Sequence, residues 1–454
     1  MSICMPLEKP QRQASDYPQL APGGAALRLP SWNKTLDRAQ VGRMAGGGCL
    51  YGGQINAFWA PLRDLLHITN GPVGCGVYVH ADRAVSGGAV GVDSFSGLNL
   101  STDFQERDVV FGGDSKLARA IAEAHALFPL HNGVSLLSTC PVALIGDDID
   151  TVAKSQAKAI GKPVIPVHCA GFRRGDGEGE TYATIAETWR DWAEPSTQPG
   201  YRDVTLLCRE MSGAWRAIVR LLEEIGLRVT ARWPAGGSRA ETARLGKGRL
   251  CISVGMEHWA ARLQKQYGTP WVDADFLGPR ASCESLRTIA AHFDSALRQR
   301  AEEVIAAQAP AADALVAAAR ARIAGKLYFS FGPLNAREIR TYAEYGIRVG
   351  STLQGWQDEQ GRWQLADVCR HYQEMTPQQA EDLLQRVKPD LVGGLGDDSA
   401  ALRKRGYAIL DDSGRAALAR AAIGFAGTAR LTNEFLQLFD TPVRRLIGAP
   451  WRQG

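Results

Sequence analysis

The chain lacks several of the features by which function is commonly announced. There is no Walker A sequence and no GxGxxG fingerprint, so a nucleotide is not expected to bind this chain. No two cysteines stand in a CxxC pair, which argues against a zinc ribbon or a thioredoxin-like redox motif. No stretch approaches the roughly eighteen uninterrupted apolar residues of a membrane span. The formal net charge of +4 over 454 residues is too weak to point to nucleic acid or a charged membrane surface. The N-terminus, MSICMPLEKPQRQASDYPQL, has no apolar core of the secretory type, so a cytoplasmic location is expected. No low-complexity tract or short repeat suggests a solenoid.

What is present is an ordinary globular composition, 45% hydrophobic and 22% charged, in a chain too long for one core. The first forty or so residues are polar and rich in Pro and Gln and read as an extended arm. Beyond them, strand and helix patterns alternate. ERDVVFGGDSKLARAIAEAHALF reads as a short strand, a GG turn and a helix with apolar residues at Leu117, Ile121, Ala124 and Phe128. GVSLLSTC and KPVIPVHCAGF read as buried strands around a helix that opens on GDDID. The pattern restarts at DVTLLCRE and again at KLYFSFGP, with an alanine-rich helical stretch from about Ser285 to Ile323, broken at Pro310, between them. Strand–helix–strand succession implies parallel sheets covered by helices. The expected fold is α/β: three Rossmann-like, doubly wound parallel-sheet domains. The expected boundaries are an arm over 1–45, domains over 46–200 and 201–300, and a linker helix with the third domain over 301–454.

The nine cysteines carry the chemistry. Cys49, Cys75 and Cys140 each sit where an apolar or glycine-rich segment runs into a turn: GGGCLYGG, TNGPVGCGVY and SLLSTCPVALIGDD. Glycine or proline beside each lets the backbone turn sharply and approach whatever the sulfur touches. Thiolates on such turns suit a large bridged cluster better than a single zinc ion, and a chain supplying three is expected to share it with a second chain.

The segments CLYGG, ITNGPVGCG, STDFQERDVVFGGDSKL, LFPLHNGVSLLSTCPVALIGDDID and PVIPVHCAGF resemble the α-subunit of nitrogenase component 1. QYGTPWVDADFLGP, ESLRTIAAHFD, KPDLVGG and GFAGTAR extend the resemblance over about residues 45–430. It implies three Rossmann-like domains around a metal-cofactor cavity, and pairing with a homologous β-type subunit in an α2β2 heterotetramer. It also implies a P-cluster of the [8Fe-7S] type between the subunits, with Cys49, Cys75 and Cys140 as the α-side ligands. Phe111 matches the surface element where an ATP-hydrolysing iron protein docks. Cys251 matches the thiol holding one end of the active-site cofactor and is expected to end a strand and open a helix, although its spacing to YGTPW is about one residue longer than in the family. Arg83 is retained on the loop after Cys75, and His80 adds a polar group nearby, so both are candidate catalytic residues.

Three departures narrow the expected activity. No histidine follows His371, so the imidazole holding the far end of the nitrogenase cofactor has no counterpart. AGFRRGDGEGETYATIAE lacks the family's glutamine and histidine beneath the cofactor, and FGPLNARE replaces its GGLRPRH. These losses speak against dinitrogen reduction and against a homocitrate-bearing molybdenum cofactor, and favour an all-iron [8Fe-9S-C] cofactor. The resemblance then implies a methylthio-alkane reductase, taking a small thioether substrate. The alternatives are a cofactor-biosynthesis scaffold subunit and, less favoured, a nitrogenase α-subunit or a tetrapyrrole reductase subunit. His67 is a candidate donor behind the cluster thiols, and His258 and Trp259 candidate lining of the Cys251 pocket. Cys169, Cys208, Cys283 and Cys369 read as packing residues without partners, and Cys4 lies in the arm.

Overall fold

The computed structural model describes residues 51, 58–77, 94–95, 97–98, 100–170, 177–194, 198–208, 215–332, 334, 336–352, 355–358, 360, 362–364, 377–394, 402–403, 406–410 and 422–440. They form an α/β structure with three separate sheets, each built mainly of parallel strands.

In the first sheet, β1 (Leu66–Asn70), β2 (Leu100–Ser101), β3 (Val134–Ser138) and β4 (Val164–His168) run parallel in the order β2-β1-β3-β4. Every residue of β1 and β3 is buried, as expected of inner strands covered on both faces. The helix Asp114–Leu127 buries Leu117, Ile121 and Ala124, and the helix Ile149–Ile160 buries Ile149, Val152 and Ala153, both against Ile68 and Leu136. β4 is the edge strand, and Pro166 stands at its centre. The Pro163 carbonyl bonds β3, so by the two-residue period Pro166 turns its nitrogen outward, where no ladder partner needs it.

ERDVVF differs from the expected strand. Glu106–Phe111 is a helical turn, capped reciprocally by Gln105 and Asp108, and none of its residues is buried. An apolar triplet read as a sheet interior is here an exposed surface.

The second sheet has β5 (Asp203–Cys208), β6 (Arg228–Pro234), β7 (Leu250–Val254) and β8 (Trp271–Asp273) in the parallel order β6-β5-β7-β8. It shares one compact unit, Gly48–Ala274 with Thr288–Arg300, with the first sheet. A common core joins them: Leu137, Ile165 and Val167 from the first sheet with Leu207, Trp233 and Cys251 from the second.

The third sheet belongs to a unit containing Asp275–Arg287 and Ala301–Gly454. β9 (Leu327–Ser330), β10 (Arg348–Ser351), β11 (Gly355–Gln357), β12 (Trp363–Gln364), β13 (Leu391–Gly393) and β14 (Ile409–Leu410) take the order β12-β11-β10-β9-β13-β14. β11 and β12 add antiparallel to an otherwise parallel core.

The alanine-rich stretch breaks between the helices Pro279–Ala290 and Ser295–Ile323, not at Pro310. Asp294 caps the second helix by accepting from the Leu297 N–H at 2.8 Å. Pro310 is exposed, so water can take the carbonyl it leaves unbonded. This 29-residue helix is long and apolar enough to cross a membrane by length and composition. Its buried residues, among them Leu297, Ala301, Ile305, Ala312, Val316 and Ile323, follow helical spacing on one stripe, the pattern of a helix packed on a protein core.

Candidate metal centre

Two of the expected thiols follow adjacent strands at the carboxyl end of the first sheet. Asn70 ends β1 and is in register with Ser138, which ends β3. Cys75 follows Asn70 through Gly71-Pro72 into the helical turn 73–77, its N–H bonded to the Pro72 carbonyl at 3.0 Å. Cys140 follows Ser138 after one residue, Thr139, and opens the turn Cys140–Ile145. Pro141 sits where a helix start has no need of its N–H. Both thiols are half-buried.

Hydrogen bonds bind these two strand ends into one body. The Thr139 hydroxyl donates to the Asn70 carbonyl at 2.8 Å, and its N–H to the same oxygen at 3.2 Å. Gly71 must be glycine, because a Cβ there would lie 2.0 Å from Thr139 Oγ1. The Gly71 N–H donates to Thr102 Oγ1 at 3.0 Å, and that hydroxyl donates to Asn70 Oδ1 at 3.1 Å.

Around this edge lie apolar side chains that the chain itself leaves in water. Val73 and Val77 flank Cys75, and Leu144 lies one turn beyond Cys140. Phe111, 81% exposed, ends the turn Glu106–Phe111, which packs against Cys140–Ile145. Lys116 fixes that turn by donating to Asp108 Oδ2 at 2.7 Å and to the Asp103 carbonyl at 2.6 Å. The Lys116 hydrogen bond, with the Gln105 N–H, holds the Asp108 carboxyl below its usual range. Exposed apolar side chains clustered this way mark a protein–protein surface.

Cys251 corrects an expectation. It is the second residue of β7, paired to Thr205 and Trp271, and the following helix starts only at Glu257. Its side chain is fully buried in a core with Phe58, Trp59, Trp189, Trp233 and Trp259, and burial pushes the thiol up to about 12. The structure thus places Cys251 within β7, in a dry aromatic core, and not at the strand–helix junction expected from sequence. His258 is exposed while Trp259 is core.

His67 is likewise displaced from its expected place. It stands three residues before the end of β1, about 10 Å from the thiol edge at the usual strand rise. Its ring contacts Ser135 Oγ at 2.7 Å and the Leu62 carbonyl at 3.0 Å. Cys169 and Cys208 are buried as expected, while Cys283, also buried, is disulfide-bonded. Cys49, His80 and Arg83 also lie outside the described residues. Among the described residues, no group of three or more His, Cys, Asp or Glu side chains could hold a metal ion.

The edge fits the α-side share of a bridging cluster: two half-buried thiols on adjacent strand ends, locked together and rimmed by unpartnered apolar side chains. The family model for nitrogenase component 1 type oxidoreductases matches residues 49–440.

The chain belongs to the nitrogenase component 1 family.

It is 35% identical to the nitrogenase molybdenum-iron protein alpha chain of Azotobacter vinelandii over 439 residues, covering 91% of this chain and 87% of that one. The corresponding alpha chain of Nostoc sp. is 35% identical over 450 residues, covering 92% and 88%. The solved structure "Nitrogenase Cp1 at pH 5" superposes with a TM-score of 0.75 at 26% identity, covering 91% of this chain and 92% of that one. Nitrogenase component 1 alpha chains work with a β subunit and an iron protein, and the family carries a P-cluster and an iron–sulfur cofactor. This chain is accordingly a nitrogenase-like oxidoreductase subunit. The short spacing of ITNGPVGC is the one sequence signal for Asn70 and Gly71, and Thr102 and Thr139 carry none.

Proposed function

We propose that this chain is the electron-accepting α-type subunit of a nitrogenase-like methylthio-alkane reductase. Cys49, Cys75 and Cys140 bind the α-side of a P-cluster shared with a β-type subunit in an α2β2 heterotetramer. Val73, Val77 and Leu144 are covered by that subunit, and Phe111 receives the ATP-hydrolysing iron protein. The observation that carries this reading is the placement of Cys75 and Cys140 shortly after the paired ends of β1 and β3, beside exposed apolar side chains.

The cluster, when bound, supplies one-electron storage at low potential between iron protein and substrate. The chain's own part is to present the thiols without movement. The Thr139–Asn70 clamp and the Gly71 approach keep their loops fixed, so little reorganisation accompanies each electron. Substrate reduction balances as R–S–CH3 + 2 e− + 2 H+ → R–H + CH3SH, giving methanethiol and a small hydrocarbon. Arg83 and His80 are the proposed polar groups for substrate and proton handling. Absence of any histidine after His371 supports an all-iron cofactor without homocitrate or molybdenum, and opposes dinitrogen as substrate. Cys251 has no part in these steps.

A second reading, a cofactor-assembly scaffold subunit, is favoured by the burial of Cys251, because a cargo cluster needs no permanent thiolate. The anaerobically purified complex, given iron protein, ATP, reductant and a methylthio compound, decides between them. With dimethyl sulfide as the methylthio compound, methanethiol and methane are expected. No turnover, together with transfer of a precursor cluster to apo-nitrogenase, overturns the reductase in favour of the scaffold.

A further inference from the structure

We propose that the side-chain amide of Asn70 donates a hydrogen bond to the iron–sulfur group held by Cys75 and Cys140, and thereby raises its reduction potential. This rests on the reading of those thiols as cluster ligands.

Asn70 is the last residue of β1 and 1% exposed. Its carbonyl oxygen is taken by Thr139, the residue before Cys140, and its own chain leads to Cys75 five residues later. The amide orientation is fixed by its neighbours. Thr102 Oγ1 accepts from the Gly71 N–H, and its single hydrogen goes to Asn70 Oδ1. The NH2 end of the amide is therefore the one left over. Nδ2 is sealed from solvent and has no acceptor among the described residues.

A buried donor left unbonded carries its full desolvation penalty with nothing to offset it. Among the described residues none supplies the missing acceptor, and Thr139, Thr102 and Gly71 are committed elsewhere. The carboxyl edge, between the loops of Cys75 and Cys140, is where the bridging group brings soft, anionic sulfur. A thiolate or sulfide there accepts an N–H bond, and the bond strengthens as negative charge accumulates on reduction. Stabilising the reduced form more than the oxidised one moves the potential upward. Asn70 is thus a positioning and tuning residue. Its carbonyl holds the loops together while its amide meets what they hold.

The test is an EPR-monitored redox titration, with iron analysis and melting curves, on the assembled complex bearing Asn70→Leu, Asn70→Asp or Asn70→His. Asn70→Leu removes the donor at similar volume, and a more negative midpoint is expected with iron retained. Asn70→Asp keeps an acceptor for Thr102 but presents an anion, so a larger shift in the same direction is expected. Asn70→His restores a ring N–H and should return the midpoint toward wild type. If all three leave the midpoint unchanged and lower only the melting temperature, Asn70 is structural and the proposal fails. If the wild-type complex contains no iron, the reading of the thiols as ligands fails first, and this inference with it.

Discussion

Thr139 gives both its hydroxyl, at 2.8 Å, and its N–H, at 3.2 Å, to one oxygen, the main-chain carbonyl of Asn70. The bond crosses from the end of β3 to the end of β1, so the loops carrying Cys140 and Cys75 cannot drift apart independently. Thr139→Val keeps the shape and removes the hydroxyl bond. A loss of about 1 kcal/mol is expected, together with faster release of iron to a chelator. Thermal melts and chelator kinetics on the complex check both.

Gly71→Ala should be more damaging. The new methyl would meet Thr139 Oγ1 at 2.0 Å with no open direction, because that hydroxyl is already committed. A destabilisation of roughly 1–3 kcal/mol is expected for such overpacking, and the added cost should fall on cluster retention. Iron per heterotetramer should drop even where the melting temperature permits assembly.

The cysteines should separate into two classes. Cys75→Ala and Cys140→Ala should each deplete cluster iron and abolish electron acceptance from the iron protein. Cys251→Ser should leave the iron content unchanged and cost about 1–3 kcal/mol, because it places a hydroxyl in an aromatic core without a partner. Loss of iron from Cys251→Ser with an unchanged melt would return that thiol to the cofactor.

Phe111 should be a contact residue with little share in stability. It is 81% exposed, so Phe111→Ala should shift the melt by no more than about 0.5 kcal/mol. Electron delivery by the iron protein should fall by roughly 30-fold, the worth of an aromatic hot spot of about 2 kcal/mol. Dithionite reduction of the cluster without iron protein should be unaffected.

Stability should also depend on one carboxyl away from the thiols. Glu344 is buried, its Oε2 has no hydrogen-bond partner, and burial pushes the carboxyl up to about 8 from 4.5. The native state thus keeps a proton that the unfolded chain has released. This contribution is complete below pH 4.5, falls as pH rises through the window to about 8, and is flat above it. Its slope is about 1.4 kcal/mol per pH unit at most. Glu344→Gln should flatten that slope in denaturant titrations at several pH values and make the chain more stable at pH 8.

The sequence made the parallel sheets legible because short strand segments such as GVSLLSTC, ending at turn residues, alternate with helical stripes. It also showed the stripe Leu117, Ile121 and Ala124 of the following helix. Glu106–Phe111 was misread because Val109, Val110 and Phe111 look like sheet interior. Apolar residues kept for a partner have the same chemistry as apolar residues kept for a core, and only exposure tells them apart. Pro310 was misread because its cost in a helix depends on whether the freed carbonyl can reach water.

At the site, Cys75 and Cys140 could be chosen from their turns, but nothing in a one-dimensional string shows that Asn70 stands opposite Ser138. Register is a property of the folded sheet. Cys251 shows the converse. Its neighbours along the chain resemble a ligand context, while its place inside β7 sets it in the Trp189, Trp233 and Trp259 cluster.

Pro166 sets a limit on how larger assemblies can grow from the first sheet. With no N–H to offer at the middle of its outer strand, this sheet is a poor template for lateral extension, whether by a neighbouring subunit or by a misfolded copy.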